Sequence, residues 1–388
     1  MSLPPVANRN AFIAPFRVME LLWRARELEA QGRSVVHLEI GEPDFSTADA
    51  ITRAGIEALE QGKTHYTPSL GLADLRDAIA ASYGSHNPGR DAVVVTPGAS
   101  GALALIFGAL LNPGDEVMMA DPGYPCHRHY VSLYEGVTAS VPVGPDTDYQ
   151  LTAELVAASW TERTRAVLVV SPSNPTGTMM SDEEMQRIME VVRQKDGVLI
   201  VDEIYQGLVY DDTVGGSALR FADDVVVINS FSKYYGMTGW RIGWLVLPPA
   251  YRQAVDHLAQ NMFVAPSTPG QYAAIRALDS DVVAELQRRR RVYAERRDYL
   301  LPALRDLGFR IPVTPQGAYF LYADCSDFTD DSRAFAYDIL ETVGVAITPG
   351  IDFGSHRQNE HVRISYANDI QQLKLAVSRL QDYLSSSR

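Results

Sequence analysis

Cysteine is nearly absent from this 388-residue chain. Cys126 and Cys325 are the only two, which excludes a disulfide-stapled fold and a zinc ribbon. Positive charge is short as well, with 34 Lys and Arg against 48 Asp and Glu, a formal net charge of -14. A chain devoted to nucleic acid or to an anionic membrane carries the opposite bias, so neither is expected as a partner. Long apolar runs are missing too: the longest, near Ala102–Leu111 and Val225–Ile228, fall far below the ~20 residues that cross a bilayer. The opening MSLPPVANRN has neither the basic start nor the apolar run of a secretory leader, and a cytoplasmic location is expected. Internal repeats and low-complexity stretches are also lacking. Lysine is rare, confined to Lys63, Lys195, Lys233 and Lys374.

What is present suffices for a large core. The chain is 46% apolar and 21% charged, and its length suits two packed domains. Val93–Thr96, Glu116–Met119, Ala139–Val143, Ala166–Ser171, Val198–Asp202, Val225–Asn229 and Ile242–Leu247 read as seven strands, with helical stretches such as Ala99–Leu111 and Asp182–Gln194 between them. Their apolar runs scarcely alternate, which implies burial on both faces and so a largely parallel sheet in an α/β domain. That domain is expected over 47–285. A smaller α/β domain would be built from both chain ends, 1–46 and 286–388. It would contain an amphipathic helix Phe16–Gln31 stopped by Gly32, a long arginine-rich helix through Leu300, a strand region Gly308–Ala323 and a terminal helix. The run Arg288–Arg291 reads as a solvated or inter-subunit face of the long helix.

Three of the four lysines have plain surface readings. Lys233 does not: it follows the strand Val225–Asn229 in Ser-Phe-Ser-Lys, at the sheet edge where open α/β folds hold ligands. A lysine buried there can lose its proton and attack a carbonyl, although an ion-pair role is the commoner fate of an inward lysine. Asp202 ends another apolar strand, where a carboxylate needs a cationic partner or caps a following helix. Thr96-Pro-Gly-Ala-Ser-Gly-Ala joins a strand to a helix and offers free N–H groups around Ala99 and Ser100, a cradle for an anion. It has neither the Walker lysine nor dinucleotide-fingerprint spacing. Arg241 adds a fixed cation, and Ser230 and Ser232 add hydroxyls. A lysine, a buried acid and a phosphate nest together describe pyridoxal 5′-phosphate (PLP) chemistry. Cys126-His127-Arg128-His129 has metal-ligand residue types but no second cluster to complete a site, so no metal is expected.

The chain resembles the class I/II aminotransferase family of fold-type-I PLP enzymes, the aspartate aminotransferase-like group. The resemblance rests on Gly41-Glu-Pro-Asp-Phe, Tyr66-Thr-Pro, Thr96-Pro-Gly-Ala-Ser, Asp121-Pro-Gly-Tyr-Pro, Ser173-Asn-Pro-Thr-Gly, Asp202-Glu-Ile-Tyr, Ser230-Phe-Ser-Lys, Gly239-Trp-Arg-Ile-Gly and Val362-Arg-Ile-Ser, in family order along nearly the whole chain. It implies that Lys233 binds PLP covalently and shuttles a proton, that Asp202 pairs with the pyridine nitrogen, and that Asn174 and Tyr205 bond the ring oxygen. Tyr124 would stack on the ring. Ala99 through its backbone, Ser100, Ser230 and Arg241 would hold the phosphate, with Tyr66 reaching it from the other subunit of a homodimer. Arg363 would clamp the substrate carboxylate beside Gly41 and Asn174. The implied activity is ping-pong transamination between small molecules, with aspartate or an aromatic amino acid as donor and 2-oxoglutarate as acceptor. Arg17 and Arg128 are candidates for a second carboxylate, and Phe12–Arg17 for the entrance. A PLP-dependent C–S β-lyase or a 1-aminocyclopropane-1-carboxylate synthase would keep the same cofactor residues; a PLP-binding regulator would need a DNA-binding segment.

Overall fold

A computed structural model describes residues 5–211 and 216–386. Helix α1 (Arg17–Ala30) buries Val18, Leu21, Ala25 and Leu28 along one stripe and leads into the short strand β1 (Val36–His37). Helices α2 (Asp49–Glu60) and α3 (Ala73–Ser82) then precede a seven-stranded sheet. Its strands are β2 (Val93–Thr96), β3 (Glu116–Asp121), β4 (Val137–Pro142), β5 (Thr164–Val170), β6 (Val198–Asp202), β7 (Val226–Ser230) and β8 (Gly243–Val246). All seven expected strands are there, with ends shifted by a few residues.

Their spatial order is β2-β8-β7-β6-β5-β3-β4, and every pairing is parallel except those of β8 with β2 and β7. The C-terminal ends of β2, β3, β5, β6 and β7 therefore meet at one edge of the sheet, as does the entry to β8. Helices α4 (Gly98–Leu110), α5 (Pro125–Leu133), α6 (Ala153–Ser159) and α7 (Asp182–Gln194) fill the crossovers. Two hydrophobic clusters pack against the sheet, which is why residues along β2 and β8, and along β6 after Val198, are buried whichever way they point. The start of α7 has a Ser181 cap, whose hydroxyl accepts from Glu184 N at 3.2 Å, and three acidic residues in its first turn.

After α8 (Pro249–Met262) and α9 (Thr268–Ala277), helix α10 (Ser280–Asp306) runs through the boundary expected after residue 285. Val282 and Leu286 pack in the cluster of the large sheet, whereas Tyr293, Leu300 and Leu304 belong to a separate cluster with Leu21, Leu28 and Val36. The helix also passes Leu300 and contains Pro302, because only one backbone donor is lost there while Leu301 and Leu304 stay buried. Its Arg289 and Arg290 are not merely solvated: they donate to the carbonyls of Ser46 and Val209 at 2.6 and 2.8 Å.

The remaining elements are β9 (Phe320–Asp324), α11 (Ser332–Val343), β10 (Val345–Ala346), β11 (Thr348–Pro349), β12 (His361–Ser365) and α12 (Ile370–Ser386). Strands β11, β12 and β9 form an antiparallel sheet, and β10 pairs in parallel with β1. Only the end of the expected strand region Gly308–Ala323 is strand. Pro312 and Pro315 cannot donate to a ladder, so the preceding stretch makes only isolated bridges at Arg310 and Gly317. Among the described residues no helix is long and apolar enough to cross a membrane.

Candidate active site

A cavity of about 330 Å³ opens between the sheet edge, α1 and β12. Lys233 enters it from the turn after β7, and its Nζ donates to the Gly41 carbonyl at 2.5 Å. Burial disfavours the ammonium form and brings its pKa down to about 8, so near neutrality a useful fraction is a free amine. Asp202, at the end of β6, lies on the same wall and is 4% exposed. Its carboxylate accepts from Ile204 N at 3.1 Å and lies 2.9 Å from His127 Nε2.

His127, whose local run Cys126-His127-Arg128-His129 shows only metal-ligand residue types, is a further member of the site. It lies in the first turn of α5 and packs edge-on against Tyr124, ring centroids 5.3 Å apart. Tyr124 and Cys126 line the cavity beside it.

Tyr205 is buried edge-on to Tyr319, ring centroids 5.6 Å apart, and burial raises its pKa. Asn174 Oδ1 also accepts from Arg363 Nη1 at 3.0 Å. Arg363, from β12, is 3% exposed; its Nη2 donates to Glu39 O at 2.5 Å, while its buried Nε meets no partner among the described residues. The guanidinium lies over the Phe320 and Phe353 rings, at 4.4 and 4.9 Å from their centroids. Gly41 faces it: a Cβ there would come within 3.6 Å of Nη1 and 3.3 Å of Phe320.

Opposite, α4 begins at the sheet edge with Ala99 and Ser100 lining the cavity, and the first N–H groups of a helix have no intrahelical partner. Two glycines keep this end clear. A Cβ on Gly98, at φ +68°, would stand 2.5 Å from Arg241 Nη2, and one on Gly243 would stand 2.8 Å from Ala99 N. Arg241 is held by Thr238 O at 2.9 Å and reaches Ser232 Oγ at 3.5 Å. Ser232 lines the cavity, whereas Ser230 lies behind it, Oγ to Oγ 2.9 Å. Tyr66 stands outside, 84% exposed.

Amine, carboxylate, anion cradle and second cation thus occupy one pocket, and the donor set fits PLP. The phosphate has a dipole and a guanidinium at one end, the ring nitrogen has a buried acid, and the aldehyde has a partly neutral lysine. Of the residues expected to bind cofactor or substrate, Gly41, Ala99, Ser100, Tyr124, Asn174, Asp202, Tyr205, Lys233, Arg241 and Arg363 line this cavity.

Comparison with known proteins agrees with this geometry. The profile of aminotransferase class I and II matches residues 33–380. A valine–pyruvate aminotransferase from Mycobacterium tuberculosis is 40% identical over 97% of this chain and 98% of its own. A (5-formylfuran-3-yl)methyl phosphate transaminase from Methanocaldococcus jannaschii is 36% identical, covering 95% and 97%. The crystal structure of an aminotransferase from Mycobacterium tuberculosis superposes with a TM-score of 0.95 at 40% identity, over 99% of this chain and all of the other. The chain is therefore a PLP-dependent transaminase and belongs to the aminotransferase class I and II family.

Proposed function

We propose that this cavity moves the amino group of an L-amino acid to a 2-oxo acid in two half-reactions, with Lys233 as the proton carrier and Arg363 as the carboxylate clamp. The observation that carries the reading is the placement of Lys233 Nζ and the Arg363 guanidinium against Gly41, in the cavity that Asp202 also lines. When bound, PLP supplies an electron-accepting ring that stabilises the charge left at the substrate's Cα when its proton departs.

The chain's own residues would do the rest. Arg363 offers a planar fork beside Gly41 and Asn174 and would hold the α-carboxylate in a fixed orientation. The neutral amine of Lys233 would bind the cofactor, then take the proton from the substrate's Cα and deliver it to the cofactor carbon on the far side of the amino nitrogen. Asp202, braced by His127 and Ile204 N, would hold a proton on the ring nitrogen. Tyr205 and Asn174 would bond the ring oxygen, and Tyr124 would cover the ring face. Ala99 N–H, Ser100, Arg241 and Ser232, with Ser230 behind it, would take the phosphate. Tyr66 would complete that end from the second subunit of a homodimer. Of the donors expected from the sequence, an aromatic amino acid suits the cavity wall better than aspartate.

The test is Lys233→Ala. Its near-ultraviolet and visible spectrum is expected to lose the band of covalently held cofactor, and its turnover to fall below about 0.1% of the parent. Full activity in that variant would sink the assignment of the proton carrier.

A further inference from the structure

The side-chain end of the cavity has a composition that distinguishes among amino acids. Resting on the transaminase reading above, we infer that both partners of the reaction are monocarboxylic: the donor has an apolar side chain, and the acceptor is the 2-oxo acid of another such amino acid rather than 2-oxoglutarate. In each turnover the donor's amino group and the acceptor's keto oxygen change places, so only the side chains differ between the two halves and one wall must suit both.

That wall is built by α1 and α4: Phe16, Val18, Met19, Leu22 and Leu103 present carbon to the cavity. Among the described residues, the cations lining it are Lys233, Arg241 and Arg363, with His127 engaged by Asp202. The first three are committed to the amino group, the phosphate and the α-carboxylate. The two arginines that the sequence offered for a second carboxylate are tied elsewhere, both in contact with Asp352. Arg17 gives its backbone N–H to Asp352 Oδ1 at 2.9 Å and its guanidinium to Glu20, also at 2.9 Å. Arg128 donates through Nη2 to the Asp352 carbonyl. Neither lines the cavity.

The carboxylates present point the same way. Glu42 lies at the mouth, with its Oε1 accepting from Thr238 at 2.5 Å. A distal carboxylate would thus lose water against carbon, with no partner and with a like charge nearby. An aliphatic or aromatic side chain in the same place gains from burial. Charge, not size, separates the substrate classes, because glutamate and leucine are of similar length.

Rates on the intact PLP-loaded protein decide the matter. With a common acceptor, kcat/KM for leucine, valine or phenylalanine is expected to exceed that for aspartate and glutamate by roughly 100-fold. With a common donor, pyruvate or 2-oxoisovalerate is expected to surpass 2-oxoglutarate similarly. Leu22→Arg should narrow both ratios. Calorimetry gives a readout independent of turnover: 4-methylvalerate should bind at least tenfold tighter than glutarate. Equal or better use of dicarboxylates would overturn the inference while leaving the transaminase reading intact, and would point to a cation donated across a subunit interface. Absence of transfer with every pair would fail the transaminase reading, and the two calorimetric affinities would still rank the substrate classes.

Discussion

At the scale of single residues, burial determines which titrations matter. Glu203 follows Asp202 and is 1% exposed; it accepts from Ala218 N at 2.7 Å and Ser217 Oγ at 3.0 Å. Burial outweighs those donors and pushes its carboxyl up to about 8 from the usual 4.5. Because the folded value is the higher one, its contribution to stability is whole below about 4.5 and is lost as pH rises through about 8. Glu203→Gln removes that titration. Its Tm should exceed the parent's by a few degrees at about pH 9 and match it near pH 5, as read by thermal unfolding. Parallel Tm–pH curves for the two proteins would show that Glu203 is not the group being titrated. Lys233 and Asp202 were legible because each ends or follows an apolar strand inside a recognisable motif, whereas Arg363, in the middle of β12, was legible only through the family resemblance. His127 was not, because the carboxylate it serves is 75 positions further on and nothing local announces the pairing.

At the scale of elements, α1 owes its position to a residue 335 positions along the chain from Arg17, Asp352. Its N-cap is Phe16, which has no side chain able to accept a hydrogen bond, and the helix is capped from the far end of the chain instead. Asp352, 3% exposed in the turn Gly350–Asp352, accepts from Arg17 N and Val18 N at 2.9 and 2.8 Å. Burial raises the Asp352 pKa and those two N–H groups oppose the rise. The same helix carries Phe16, Val18, Met19 and Leu22 into the cavity. Asp352→Asn keeps one acceptor and turns an amide donor toward the other N–H, so a loss of about 1–2 kcal/mol is expected. The specific signature is kinetic: KM for bulky apolar donors should rise several-fold while that for alanine changes little. A uniform fall in kcat with unaltered KM values would mean that the cap does not position the wall. The elements themselves were mostly legible, since doubly buried strands and amphipathic helices write their pattern locally. The edge-to-edge strand order and the small antiparallel sheet were not, because strand neighbours such as β11 and β12 are chosen by the packing of distant segments.

At the scale of the whole molecule, the cofactor end of the cavity is open in a single chain. Ser100 and Arg241 are exposed, and so are Phe12, Trp23 and Tyr66, at 71%, 64% and 84%. Large apolar side chains left in water on a chain whose site is open suggest a face that another copy covers, which gives the proposed homodimer a physical reason. Sedimentation should then give a particle of twice the 42.7 kDa chain mass. The stronger prediction concerns which chain supplies Tyr66. Tyr66→Ala and Lys233→Ala should each be poorly active alone. In a mixed dimer, one site would combine the first variant's Lys233 with the second variant's Tyr66 and be intact, while the other site would carry both defects. Random exchange makes about half of the dimers mixed, each with one good site of two, so activity should recover to about a quarter of the parent. If Tyr66 served its own chain's cavity, every site in every dimer would keep a defect and mixing would restore nothing. Recovery upon mixing therefore separates a tyrosine that reaches across from one that does not, without any assumption about substrate.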